Sequence, residues 1–225
     1  MKILNLYAGI GGNRHLWGND IKVTAIENNP MIAEEYERKF PNDKIIVADA
    51  HEYLKNNYMH FDFIWSSPPC PTHSRMRLNH KVKVFPDMKL YQEIIFLKHF
   101  CKNKNWIVEN VIPYYDALIK PTVTLQRHHF WSNFPISEKK FGGCNVGKAT
   151  KETLSEYHNI ELPMCKDQRK LLRNCVNPEV GKHIINSALE LEKAKANLGD
   201  TKDEKKKHSR YDDEIPCDLC YEVEE

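Results

Sequence analysis

The sequence predicts a doubly wound α/β fold with a mostly parallel sheet. Three observations carry that prediction. Apolar runs of strand length alternate with helix-length amphipathic stretches through the first 130 residues. Most runs are followed at once by Gly, Pro or an acid, the composition of a ligand edge. The length, 225 residues, suits one domain with a small appendage.

Strands are expected at 2–7, 21–26, 44–48, 61–66, 105–109, 121–125 and 127–133, and helices at about 30–40, 50–57, 87–103 and 112–119. Strands that alternate with helices imply βαβ units with both sheet faces covered. Residues 137–170 are polar and contain Gly142, Gly143 and Gly147, so they read as a small insertion or long loop with a helical stretch near 151–158. Residues 178–197 read as a helix. Pro178 suits its first turn, and Val180, Ile184, Ala188 and Leu191 share one face. The charge-rich segment after Asn197 reads as disordered.

Composition narrows the function. Apolar residues make up 41% and charged residues 28%, which is globular composition. No run of 18 apolar residues exists, and the first residues lack the pattern of a signal peptide, so a cytoplasmic protein without a membrane partner is expected. Seven scattered cysteines suit free thiols better than a disulfide framework. Residues 1–192 hold 26 basic and 21 acidic side chains, whereas the segment from Lys193 holds 7 and 10. Within 73–83, Arg75, Arg77, Lys81 and Lys83 occur without an acid. Such a loop suits a polyanion; a solvated surface loop accounts for it equally well.

In an open α/β sheet, ligands sit beyond the carboxyl ends of the strands. After the first strand stands Tyr7-Ala8-Gly9-Ile10-Gly11-Gly12, either a ligand loop or a plain βα turn. Glu27 follows the second strand, with Asn28 beside it, and is placed to accept ribose hydroxyls. Asp49, followed by Ala50, ends the third strand, placed to meet an adenine edge. Each acid alone reads as a solvated loop residue; together with the glycines they point to an adenosine-containing cofactor. No phosphate-binding P-loop pattern occurs. The fourth strand runs into Ser67-Pro68-Pro69-Cys70. Two prolines stiffen this segment and present Cys70 as a candidate nucleophile whose basic neighbours would lower its pKa; the alternative is a buried structural thiol. Glu109-Asn110-Val111 ends the fifth strand, and a carboxylate there is costly to desolvate without a task.

In combination these segments resemble the cytosine-C5 DNA methyltransferase family, over most of 1–135 and again at about 173–190. Leu6 to Gly12 resembles its first motif and Pro69-Cys70 with Ser74 its catalytic loop. Glu109-Asn110-Val111 matches its Glu-Asn-Val motif, and Arg173-Asn174-Cys175-Val176 resembles a late motif that lines the cofactor site. The resemblance implies a Rossmann-like methyltransferase sheet with one antiparallel strand, S-adenosylmethionine as cofactor and DNA as partner. It implies Cys70, Glu109 and Arg127 as catalytic residues. Cofactor contacts are expected from Tyr7, Ala8, Gly9, Gly11, Gly12, Glu27, Asn28, Asp49, Ala50, Pro68, Asn174 and Val176. Nucleic-acid contacts are expected from Ser74, Arg75, Arg77, Lys81, Lys83 and His129.

The departures are specific. Pro71 stands where the family has Gln, and His129 where it has a second Arg. The interval 137–172 is far shorter than the usual target-recognition domain, which implies a short site, weak specificity or a partner subunit. The catalytic domain would then be 1–136 with 173–197, and 198–225 a charged tail. Two relatives within reach are a tRNA cytosine methyltransferase and a non-catalytic nucleic-acid-binding protein; a different transferred group is a third reading. A bacterial or phage setting, with or without restriction, is compatible. Cys217 and Cys220 form either half of a zinc site or two free thiols.

Overall fold

A computed structural model describes residues 1–79, 81–82, 84–162 and 167–200, with side chains to Lys195. Seven strands form one sheet in the order β3-β2-β1-β4-β5-β7-β6. They are β1 Lys2–Leu6, β2 Lys22–Glu27, β3 Lys44–Val47, β4 Phe63–Ser66, β5 Asn105–Val111, β6 Val123–Leu125 and β7 His128–Ser132. All pairings are parallel except those of β7, which runs antiparallel to both β5 and β6. The doubly wound fold and its one antiparallel strand are therefore as expected.

The helices are α1 Pro30–Lys39, α2 Ala50–Asn57, α3 Lys89–Phe100, α4 Lys151–His158, α5 Gln168–Asn174 and α6 Pro178–Asp200. Local chemistry sets their starts. Asn29, Asp49, Thr150 and Asn177 each accept a backbone N–H of the first turn, and Pro30 and Pro178 occupy the first helical position.

Strand alternation divides the core. Ile3, Val23, Phe63, Trp65 and Ile107 face α6, whose Val180, Ile184 and Ala188 are buried against them. Leu4, Leu6, Ile26, Ile64 and Val108 face α2 and α3 through Leu54, Leu90, Ile94 and Leu97. Both faces are thus covered, the condition that lets these strands be continuously apolar.

One feature differs from the sequence reading, and two others extend it or fall partly outside the described residues. Residues 112–119 are not helical, because their backbone donors are used elsewhere. The Ile112 N–H donates to the Arg127 carbonyl, that of Tyr114 to His73, and that of Leu118 to the Tyr91 hydroxyl. Residues 137–172 are more than a loop: α4 and α5 pack together, and Leu154, Ile160 and Leu172 form a small core with Ile10 of the Gly-rich loop. Residues 198–200 continue α6, while 201–225, with Cys217 and Cys220, lie outside the described residues, as does Lys83. No helix among the described residues is long and apolar enough to cross a membrane.

Candidate active site

The strand order reverses between β1 and β4, and the loops after these two strands face each other at that switch point. The first loop is built around unusual backbone. Tyr7, Gly9 and Gly11 take φ values of 56°, 55° and 77°. Glycine adopts this region freely, whereas Tyr7 must be held there. The holder is Glu93 of α3, fully buried, which accepts the Tyr7 hydroxyl and the Ser66 hydroxyl and lies 3.2 Å from His51 Nδ1. One carboxylate therefore ties together the ends of β1 and β4, where the two functional loops begin.

Glu27 is held just as firmly. Its two carboxylate oxygens accept the backbone N–H groups of Gly9 at 3.0 Å and Asn29 at 2.9 Å. It faces a cavity of about 270 Å³ whose wall includes Tyr7, Ala8, Gly9, Gly12, Asn28, Pro68, Asn174 and Val176. Those eight and Glu27 were expected at a cofactor site. Gly11, Asp49 and Ala50 were also expected there but fall outside this wall. Gly11 packs against Tyr36 and Phe40, Asp49 caps α2, and Ala50 lies in the core beneath.

The Pro-Cys loop is fixed from behind. Asn110 donates its side-chain amide to the Pro68 carbonyl at 2.9 Å, and the Cys70 carbonyl accepts the N–H groups of His73 and Ser74. Cys70 and Glu109 both line the 270 Å³ cavity, as does Arg127. Arg127 sits in the two-residue turn between β6 and β7, with Gln126 at φ 53°. Its guanidinium donates to the carbonyls of Arg173 and Cys175 at 2.7 and 2.8 Å, which pins the end of α5 to the site.

Burial dominates the electrostatics. It raises the Glu109 carboxyl to about 7, against the opposing effects of the Ser67 hydrogen bond and the Arg127 charge. It also raises the Cys70 thiol, and the negative charge of Glu109 adds to the rise, while Arg127 and Arg173 oppose it. The expectation that basic neighbours depress this thiol is thus reversed: the cations that lower it are Arg127 and Arg173 rather than those of its own loop, and desolvation outweighs them.

A second cavity of about 590 Å³ opens beyond Cys70. Cys70, Pro71, Val111, Arg127 and Asn174 belong to both walls. The outer one adds Ser74, Arg75, Arg77, Asn145, Lys170 and Arg173, with no carboxylate among its described lining residues. Two of its arginines also brace the loop: Arg77 donates to the Pro71 carbonyl and Arg75 to that of Pro113. Lys81 is exposed and outside both walls. His129 points to the opposite sheet face from its neighbour His128. There it bonds Thr124 and lines a third cleft with Arg75 and Tyr114.

Sequence reasoning missed Ser67, Asn13, Cys175 and His128 in the inner wall. Ser67 was within reach, since it directly follows a strand. His128 was not, because only the antiparallel register of β7 on β5 brings it to Glu109.

The sequence profile of the C-5 cytosine-specific DNA methylases matches residues 1–117, which contain both functional loops and Glu109. The chain belongs to this family. None of the curated proteins matches it. Similar solved structures include a DNMT2 variant from Spodoptera frugiperda, at 24% identity over 52% of this chain and 37% of that one, with TM-score 0.39. A putative DNA modification methyltransferase of an Escherichia coli prophage matches at 18% identity, 52% and 34% coverage and TM-score 0.36. A SAM-dependent methyltransferase from Agrobacterium tumefaciens matches at 12%, over 51% and 40%, with TM-score 0.36. The chain spans between about a third and two fifths of the length of these three proteins.

The methyl donor of the family is S-adenosylmethionine. The inner cavity of this chain fits it. Each Glu27 oxygen spends one lone pair on a backbone N–H and keeps capacity for a ribose hydroxyl. A Cβ built at Gly9 meets nothing within 4 Å, so the loop leaves open space where a cofactor would pass.

Proposed function

We propose that this protein is a DNA cytosine-5 methyltransferase working through a covalent Cys70 adduct, with the target base flipped into the site. The observation that carries the reading is the position of Cys70 in the wall common to two cavities. One of these holds the Glu27 carboxylate and the Gly-rich loop; the other is rimmed by Arg75, Arg77, Lys170 and Arg173. A nucleophile at that boundary can reach a base presented from the cationic side while a methyl donor occupies the other.

Carbon 5 of cytosine is a poor nucleophile and must be activated. Cys70, as thiolate, forms a bond to carbon 6. Glu109 gives its proton to N3, so the ring accepts the electron pair. Arg127 stabilises the negative charge that develops at O2. S-adenosylmethionine, when bound, supplies the electrophilic methyl group that carbon 5 takes up. Loss of the carbon-5 proton to a base, with cleavage of the bond to Cys70, restores the thiolate and the aromatic ring.

The electrostatics suit this division of labour. A carboxyl with a pKa near 7 remains a proton donor at neutral pH. Protonated Glu109 also carries no charge to oppose ionisation of Cys70, whose thiol is raised by burial and releases its proton to solvent water as the bond to carbon 6 forms.

A base inside a duplex cannot reach Cys70, and extruding it costs a few kcal/mol. The acid-free rim suits the phosphates that must be held meanwhile. Residues 137–172 stand where a recognition domain would otherwise lie, and Asn145 and Lys170 come from this segment. We assign them to a reduced recognition surface of short specificity, either alone or completed by a partner subunit. Expression in a methylation-free host followed by bisulfite sequencing tests the reading, and methylated cytosines in a short context are the expected result. Cys70→Ser should abolish transfer and the covalent trap on 5-fluorocytosine DNA while leaving cofactor binding intact. Turnover retained in that variant, or labelled methyl groups going to tRNA rather than DNA, would overturn the assignment.

A further inference from the structure

The catalytic steps above leave one buried titratable group of the inner cavity without a task. His128 Nε2 lies 3.3 Å from Glu109 Oε1, and the two side chains are only 4% and 9% exposed. Register puts them together. Glu109 pairs with Phe130 across the antiparallel β5–β7 ladder, so His128, two residues from Phe130, is its diagonal neighbour on the same face. Both line the cavity.

The imidazole is held neutral. Burial is the main cause, and Arg127, His158 of α4 and the neighbouring His129 each oppose a positive charge on it. Glu109 in turn faces Ser67, Arg127 and Cys70 besides His128. A neutral imidazole at this position cannot serve as a standing cation for Glu109, but it can offer one N–H.

We infer that His128 is a positioning residue that donates its Nε2–H to Glu109, holding the carboxylate that remains once Glu109 has given its proton to the cytosine ring. The inference rests on the function proposed above. Between Glu109 and the ring nitrogen the proton balance closes without a further reactant. The proton moves from Glu109 to N3 and returns when Cys70 departs, and His128 keeps its own throughout. In the resting state the two atoms are in close contact at 3.3 Å, and the bond forms as charge accumulates on Glu109, so it favours the activated state over the resting one. It also sets the orientation of a carboxyl that must aim at a single ring nitrogen.

The test compares His128→Phe, which fills the space without a donor, with His128→Gln, which retains an N–H. Since Glu109 must carry its proton, wild-type activity falls as pH rises through about 7. Without the donor the Glu109 anion is less stable and its proton is held more tightly, so the alkaline limb of the Phe variant moves to higher pH. Its kcat should fall about 10- to 100-fold with the KM for S-adenosylmethionine unchanged, the range for removal of a hydrogen bond to a charged group. The Gln variant should lie closer to wild type in both respects.

A carbon-13 NMR titration of the Glu109 carboxyl in the free, full-length protein reads the same pairing without any substrate. An upward shift in His128→Phe supports the inference. An unmoved or lowered Glu109 titration in that variant overturns it, whatever the rate does. Failure of the wild-type protein to methylate cytosine in any nucleic acid would instead overturn the proposed function, and the NMR titration would still decide whether His128 bonds Glu109.

Discussion

Gly181 sits in the first turns of α6, where a helix ordinarily gains about 1 kcal/mol from Gly→Ala. Here the sign should reverse. A Cβ at Gly181 would lie 2.3 Å from the Asn13 carbonyl oxygen and 3.0 Å from the carbonyl carbon and Cα of the same residue. The first distance is roughly 1 Å inside ordinary carbon–oxygen contact. The obstacle is backbone, and it cannot swing aside: Asn13 is buried and donates its side-chain amide to Asn5 at 2.8 Å. Overpacking against so rigid a partner belongs near the upper end of the usual range of about 1–3 kcal/mol, so after the propensity gain Gly181→Ala should lose about 2 kcal/mol. For a chain of this length that corresponds to a fall in Tm of about 4–8 °C. Because Asn13 also lines the inner cavity, the shift needed to admit the methyl group should weaken binding of S-adenosylhomocysteine. Thermal unfolding followed by circular dichroism, with calorimetric titration of the cofactor product, measures both. An unchanged or raised Tm would show that α6 does not press on the Gly-rich loop and would refute the packing argument.

Two other perturbations test separate parts of the structure. Arg14 and Asp43 form a buried bidentate pair at 2.8 and 3.1 Å, to which Tyr36 adds its hydroxyl. Asp43→Ala strands the guanidinium in the core and should cost about 3–5 kcal/mol in urea unfolding. Replacing Arg75 and Lys170 together with Ala should leave cofactor binding unchanged and reduce the salt dependence of DNA binding, by roughly 1 in slope for each phosphate no longer neutralised. An unaltered slope would remove the outer cleft from the DNA interface.

The fold was legible because parallel strands buried on both faces have little choice of composition. KILNL and FIWS read as strands in isolation and are strands here. The residues that follow them were legible as site candidates for a topological reason, since ligands of such sheets collect at the carboxyl edge. Cys70, Glu109, Glu27 and the Gly-rich loop were all found in this way. The helix expected at 112–119 failed because its backbone donors bond residues far away in sequence, and local pattern carries no record of such partners.

The sequence by itself determined the seven strands in their order, the family and the candidate site residues, because strand periodicity, glycine-rich turns and a Pro-Cys loop are all local signals. Tertiary structure alone decided the direction of the Cys70 shift, the bond network of Glu93 and the pairing of His128 with Glu109. The physical reason is common to all three. Desolvation depends on everything packed around a group, and a diagonal pair depends on strand register. A buried carboxylate finds its partners on three different elements, and no stretch of contiguous sequence contains them.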